Sequence, residues 1–287
     1  MLLMVGAEGY LGNKIIQYVL QHQHSNRFCL LTSDLAQHQL WQQQALQSYY
    51  IPAQQHDQLY RLMKQCHALC VLSKAYSDGV IEQEKNLIDL AAQAGVEHIF
   101  YSSLAIKSHE LFEDNSAYKG QYRVEQYLQH TKLSHSLIHR SMCVETIPSF
   151  VGQDVLEHGV IVAAGYGKVP FVSCEEVAKG IAQIITQPIR SERHYHLTGR
   201  RAYSFHDIAK ILSHLAQRSI HYIDADRAIY RQKLIDLQLS ASVITQRLTT
   251  LADIKAHRYE IESEDLSQLI GKRQMMISDY LQRCYAL

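Results

Sequence analysis

The chain has 287 residues, 47% of them apolar and 20% charged, which suits one large α/β domain whose core needs no disulfide or metal to hold it. Lysine plus arginine equals aspartate plus glutamate at 28 each, so the basic surplus typical of a nucleic-acid-binding protein is missing. The six cysteines are scattered and only Cys66 and Cys70 are close, at a CxxxC spacing that makes no zinc framework, so no metal is expected and the thiols read as small buried apolar groups.

Met1–Val5 is apolar but runs straight into glycines, so a secretory leader is not expected. No apolar run is long enough to span a bilayer, and the chain reads as cytoplasmic with no membrane partner. Two His-x-His pairs, His22/His24 and His194/His196, could chelate weakly on a strand, but solvated histidines are the simpler reading.

In chain order, Leu2–Val5 predicts a short buried strand, and Ile15, Ile16, Val19 and Leu20 recur at helical spacing after Gly12. Strands are predicted at Phe28–Thr32 and Tyr49–Ile51, with a short helix marked by Leu59, Leu62 and Met63. The glutamines at 42–44 suit a solvated loop or helix face. Ala68–Leu72 predicts a fourth strand, and Val80–Ala94 a long helix that Gly95 ends. Ile99–Tyr101 is a fifth strand, Tyr118–Gln129 a helix and Ser136–His139 a sixth strand. Alternation of this kind implies a mostly parallel, doubly wound Rossmann-type sheet with helices on both faces.

Beyond about residue 142 the pattern loosens. Strands are expected at 159–162 and 195–198, helices after capping-box-like starts at Ser173–Glu176 and Ser204–Asp207, and mostly helix from Asp224 onward. The expected organisation is a Rossmann core at 1–142 and a small, mostly helical C-terminal lobe at 143–287 built onto the same sheet.

The chemistry concentrates in Gly6-Ala7-Glu8-Gly9-Tyr10-Leu11-Gly12, which leaves the first strand and opens the first helix. A dinucleotide site needs one glycine for the tight turn, one where the pyrophosphate approaches, and one where helix and strand pack closely. The spacing here is GxxGxxG, and Glu8 places a carboxylate where a polyphosphate would be repelled. At the end of the second strand Ser33 stands where an arginine would favour NADP(H). Asp34, 22 residues after Gly12, is a candidate for the ribose hydroxyls and tips the reading from NADP(H) toward NAD(H).

These features resemble the NmrA-like family, an atypical branch of the short-chain dehydrogenase/reductase superfamily, and within it the NAD(P)H:quinone oxidoreductases of the second type. The resemblance rests on Gly6–Gly12, on Ala94–Ser103 and on Ala163–Ser173 running into Glu175-Glu176-Val177-Ala178, with Leu269–Lys272 near the C-terminus. It implies that Leu72, Ser73 and Lys74 after the fourth strand, and Tyr101, Ser102 and Ser103 on the fifth, flank the cofactor. It places Leu104, Met142 and Cys143 toward a substrate in the cleft between core and lobe.

The superfamily's Tyr-x-x-x-Lys pair is absent: Tyr122 is followed four residues on by Gln126, and Tyr118 by Tyr122. Tyr118 and Gln121 are the catalytic candidates left near that position, and Gln exchanges no proton at neutral pH. A quinone or similar conjugated carbonyl needs no dedicated acid, so the resemblance implies an NAD(P)H-dependent reductase of such substrates. The alternative is a non-catalytic redox sensor that acts through a protein partner; a homodimer is also compatible with the chain. A sugar-nucleotide epimerase would need the missing pair. Cys143 lies on the expected cleft rim and is expected to be buried and inert.

Overall fold

The computed structural model describes residues 1–22, 27–52, 54–74, 77–107, 117–188 and 192–287, and for His22, Ala117 and Tyr118 the backbone only. The pair His22/His24 therefore lies outside the described residues. The chain divides into two compact units, one formed by Met1–Leu104, Tyr118–Arg140 and Val177–Tyr195, the other by Ala105–Ala117, Ser141–Glu176 and His196–Leu287. The single boundary expected at 142 is thus replaced by a discontinuous division.

The first unit begins β1 (Leu2–Val5), α1 (Tyr10–His22), β2 (Phe28–Thr32), α2 (Leu35–Gln43), β3 (Ser48–Tyr50) and α3 (His56–Met63). It continues β4 (Ala68–Leu72), α4 (Asp78–Ala94), β5 (His98–Leu104), α5 (Ala117–Gln129) and β6 (Ser134–Arg140). After α6 (Ile147–Val151), α7 (Val155–His158), β7 (Val160–Val162) and β8 (Lys168–Val169) come α8 (Cys174–Thr186) and β9 (Arg193–Leu197). The seven-stranded sheet has the order β3-β2-β1-β4-β5-β6-β9. Every pair from β3 across to β6 is parallel, with Leu2 opposite both Phe28 and Ala68. Strand order reverses between β1 and β4, and the carboxyl ends of the strands at such a reversal leave a crevice where ligands bind.

Hydrophobicity explains this sheet. β2 and β4 are buried along their whole length, as strands covered on both faces must be. Leu3, Cys29, Leu69, Ile99 and Leu137 from five neighbouring strands join Ile88 and Ala91 of α4 and Val124 and Leu128 of α5 in one core. Gly95 ends α4 in the left-handed conformation, φ 80°, as its position predicts. α2 has no counterpart in the apolar pattern because Trp41 is its one buried residue and Leu35 and Leu40 face solvent.

The second unit carries its own small sheets, while β9, from beyond residue 142, extends the seven-stranded sheet beside β6. β7 pairs in parallel with β11 (Tyr222–Asp224), and β8 pairs antiparallel with β10 (Tyr203–Ser204). Helices α9 (Phe205–Leu215), α10 (Arg227–Asp236), α11 (Ala241–Lys255), α12 (Asp265–Ile270) and α13 (Ile277–Cys284) make the rest mostly helical, as expected. Phe205 packs edge-on against Phe150 and Phe171, with ring centroids 5.8 and 6.3 Å away. Ser204 and Asp207 close a full capping box on α9. At the other expected box, Glu176 accepts the Met275 amide and Glu145 takes the amide of Cys174. No described helix is long and apolar enough to cross a membrane.

Candidate functional site

The three loop glycines occupy three different environments. Gly6 has φ +80°, and a Cβ there would overlap the carbonyl oxygen of Leu72 on β4. A Cβ on Gly12 would overlap the carbonyl oxygen of Ala7, so α1 can lie this close to the loop only because residue 12 is bare. Gly9, at φ +103°, faces open space with nothing within 4 Å of its missing Cβ. These are the tight turn, the close helix packing and the open approach that a pyrophosphate requires, with the N-terminal amides of α1 beside them.

The loop is one wall of a cleft of about 520 Å³ contained within the first unit. Val5, Gly6 and Glu8 line it from β1 and the loop, Leu31–Asp34 from β2, Val71, Leu72 and Lys74 from β4. α4 contributes Val80, Gln83, Glu84, Leu87 and Leu90, at i, i+3, i+4, i+7 and i+10 so that they share one face. Ile51, Pro52 and Leu59 add an apolar side against which a flat aromatic group would fit.

Glu84 was not among the sequence candidates, and it organises the floor of this cleft. Its carboxylate is buried at 8% exposure and accepts from the Ser73 hydroxyl at 2.8 Å, the Lys74 amide at 3.0 Å and the Tyr101 hydroxyl at 2.7 Å. Burial holds the Glu84 carboxyl above its usual range, and the three donors only partly offset this. Burial and the neighbouring Glu84 carboxylate push the Tyr101 phenol well up. A glutamate in the middle of an amphipathic helix looks solvated in sequence; only the β4–α4 geometry turns it inward.

The sequence candidates separate accordingly. Gly6, Glu8, Ser33, Asp34, Leu72 and Lys74 line the cleft together. Tyr10 is exposed, with Lys14 above its ring, and Leu11 is half-buried in the first turn of α1. Ser73 and Tyr101 are buried and spend their hydroxyls on Glu84. Ser102 and Ser103 are fully buried on β5, and their hydroxyls have no hydrogen-bond partner among the described residues.

Gln121 is fully buried as well: its Oε1 accepts the Leu104 amide at 2.9 Å and its Nε2 donates to the Ser73 carbonyl at 3.3 Å. That is a strut between the ends of β4 and β5. The Tyr118 side chain lies outside the described residues. Leu104 closes β5 in the first unit, while Met142 and half-buried Cys143 belong to the second, where Cys143 bridges to Val172. The expectation that Cys143 is buried is therefore corrected, whereas the thiols of Cys29, Cys66, Cys70 and Cys174 are buried. No group of three metal-ligating side chains occurs among the described residues.

Asp34 is the N-cap of α2, its Oδ1 accepting from the amides of Ala36 at 2.8 Å and Gln37 at 3.3 Å. Helix capping alone accounts for an aspartate at this position, so it lends NAD(H) no particular weight.

A doubly wound sheet with this glycine loop at its switch point is the architecture of dinucleotide-binding proteins. The chain matches the NmrA-like family over residues 1–275 and belongs to it. It is 23% identical to quinone oxidoreductase 2 of Escherichia coli over 282 residues, 94% of this chain and 94% of that protein. The crystal structure of that enzyme, described as NADPH-dependent, superposes with a TM-score of 0.87 at 18% identity over 99% of this chain and all of that one. A triphenylmethane reductase of Citrobacter sp., solved with NADP(H), gives 0.86 at 18% identity over 99% of both chains. NmrA itself, described as a negative transcriptional regulator and solved with NADP, gives 0.74 at 15% identity over 99% of this chain and 95% of that one.

Proposed function

We propose that this chain binds NADP(H) in the cleft of its first unit and reduces a quinone or a similar conjugated acceptor. The observation that carries the reading is the division of labour among Gly6, Gly9 and Gly12, which leaves open space at Gly9 alone. Three relatives described with NADPH or NADP support the phosphorylated cofactor over the lean toward NAD(H).

Gly6–Gly12 would hold the pyrophosphate, and the apolar side at Ile51, Pro52 and Leu59 the adenine. When bound, the reduced nicotinamide supplies a hydride. Tyr101 and Gln121 donate no proton in this scheme, because both are committed to buried backbone and carboxylate partners. An acceptor whose reduced oxygens take protons from water suits such a site.

The same commitment favours a second reading, a redox sensor that binds the dinucleotide without turnover. Titration of the purified protein with NADPH and NADH, followed by nucleotide oxidation with a panel of quinones, decides between them. Quinone-dependent oxidation supports the reductase, binding without oxidation supports the sensor, and failure to bind either nucleotide refutes both.

A further inference from the structure

Charge is the unusual property of this cleft. Among the described lining residues Lys74 is the one lysine or arginine, set against three carboxylates, Glu8, Asp34 and Glu84. Asp34 is compensated by the first-turn amides of α2, and Glu84 by Ser73, Tyr101 and the Lys74 amide. Glu8 is compensated by the Lys74 ammonium, 2.7 Å from its Oε2, in a pair whose side chains are 28% and 49% exposed. Of the three arrangements this one can be rebuilt by a ligand, since its ion pair joins two partly exposed side chains. Burial raises the Glu8 pKa, but the hydrogen bond from Lys74, one from its own backbone amide and the lysine charge bring it below the usual carboxylate value.

The cleft lining locates the pair: Glu8 and Lys74 share it with Thr32, Ser33 and Asp34. Thr32 ends β2, and in a Rossmann cleft the carboxyl end of β2 faces the 2′ position of the adenosine ribose. An acidic group there accepts from a 2′-hydroxyl; a cation there takes a 2′-phosphate. No lysine or arginine lines the cleft from β2, and Asp34 is occupied in capping α2.

Resting on the dinucleotide reading above, we propose that Glu8 and Lys74 together read the 2′ position. Lys74, reaching over from β4, is the cation for a 2′-phosphate, and Glu8 is the anion that competes with that phosphate for it. A 2′-hydroxyl donates to Glu8 and leaves the pair intact. A 2′-phosphate repels Glu8 and draws Lys74 away, exchanging one charge-assisted hydrogen bond for another. The two residues therefore pull cofactor preference in opposite directions, Lys74 toward NADPH and Glu8 toward NADH.

The test is the dissociation constant of NADPH and of NADH for the full-length chain and its Lys74→Gln, Lys74→Arg and Glu8→Gln variants at one ionic strength, with thermal midpoints confirming folding. Loss of one charge-assisted contact makes Lys74→Gln weaken NADPH by about tenfold while NADH changes by less than about threefold. Lys74→Arg keeps the wild-type ratio, and Glu8→Gln raises the preference for NADPH over NADH by about tenfold. A ratio that stays put in both charge-removing variants overturns the proposal, as does an equal shift of both nucleotides, which would assign the pair to the shared pyrophosphate or to the fold. Wild-type protein that binds neither nucleotide would instead sink the dinucleotide reading, and this inference with it.

Discussion

Glu84→Ala tests whether the buried carboxylate holds the cleft together. The change removes the acceptor for three donors, but Tyr101 and Ser73 stand 2.8 Å apart and can pair with each other. Two donors then remain, the Lys74 amide and one hydroxyl, at about 1–3 kcal/mol each when left unsatisfied in the interior. One lost methylene adds about 0.8 kcal/mol, and relief of a desolvated carboxylate subtracts somewhat more than that, so the net loss is about 3 kcal/mol. Glu84→Gln keeps one acceptor for the amide and offers a donor to a hydroxyl, so its cost is about 1 kcal/mol.

Trp41, the single tryptophan, is fully buried on α2 of the same unit, and its fluorescence during denaturant unfolding reads the stability directly. Because the folded carboxyl titrates above its ordinary value of 4.5, its contribution is fully present below about that pH and declines as pH rises through the folded pKa. The stability of wild type relative to Glu84→Gln should accordingly fall from mildly acid pH toward neutrality. A cost below about 1 kcal/mol for alanine, or a pH-independent difference, would refute the account of Glu84 as a desolvated carboxylate with three donors.

The glycines and Asp34 separate folding from binding. Gly12→Ala forces α1 off the Ala7 carbonyl and should cost about 1–3 kcal/mol in the same unfolding assay. Gly9→Ala meets no neighbouring atom but is strained at φ +103°, about 1–3 kcal/mol, and should in addition lower nucleotide affinity about tenfold or more; retained affinity in the folded variant would argue against phosphate approach at Gly9. Asp34→Ala removes the cap of α2 and should cost about 1 kcal/mol with the NADPH-to-NADH preference unchanged. A marked rise in NADPH preference would return the ribose contact to Asp34.

The parts of this molecule readable in sequence are those set by local periodicity. β1, β2 and β4 have the predicted limits, since buried strands of a parallel sheet are short continuous apolar runs bounded by polar or glycine residues. The glycine loop was readable because its three positions are backbone requirements that no other residue meets. α2 was not, since a helix that buries little but Trp41 has no apolar stripe to detect. Nor was the return of 177–195 to the first unit, because α8 shows that it is amphipathic but not which core it faces.

The polar interior of the cleft was hidden for a related reason. Ser73, Glu84, Tyr101 and Gln121 come from β4, α4, β5 and α5, separated by up to 48 residues, and their meaning lies in pairings that no single segment contains. Sequence spacing suggested Gln121 for chemistry and Asp34 for the ribose, and each instead bonds backbone: Gln121 the Ser73 carbonyl and the Leu104 amide at the ends of β4 and β5, Asp34 the first-turn amides of α2. The loop carboxylate that looked like an obstacle, Glu8, has its compensating charge 66 residues away on Lys74. A departure from a motif is thus best judged with its spatial partner. Alone, Glu8 argues against binding a phosphorylated ligand; paired with Lys74 it argues for discrimination between two of them.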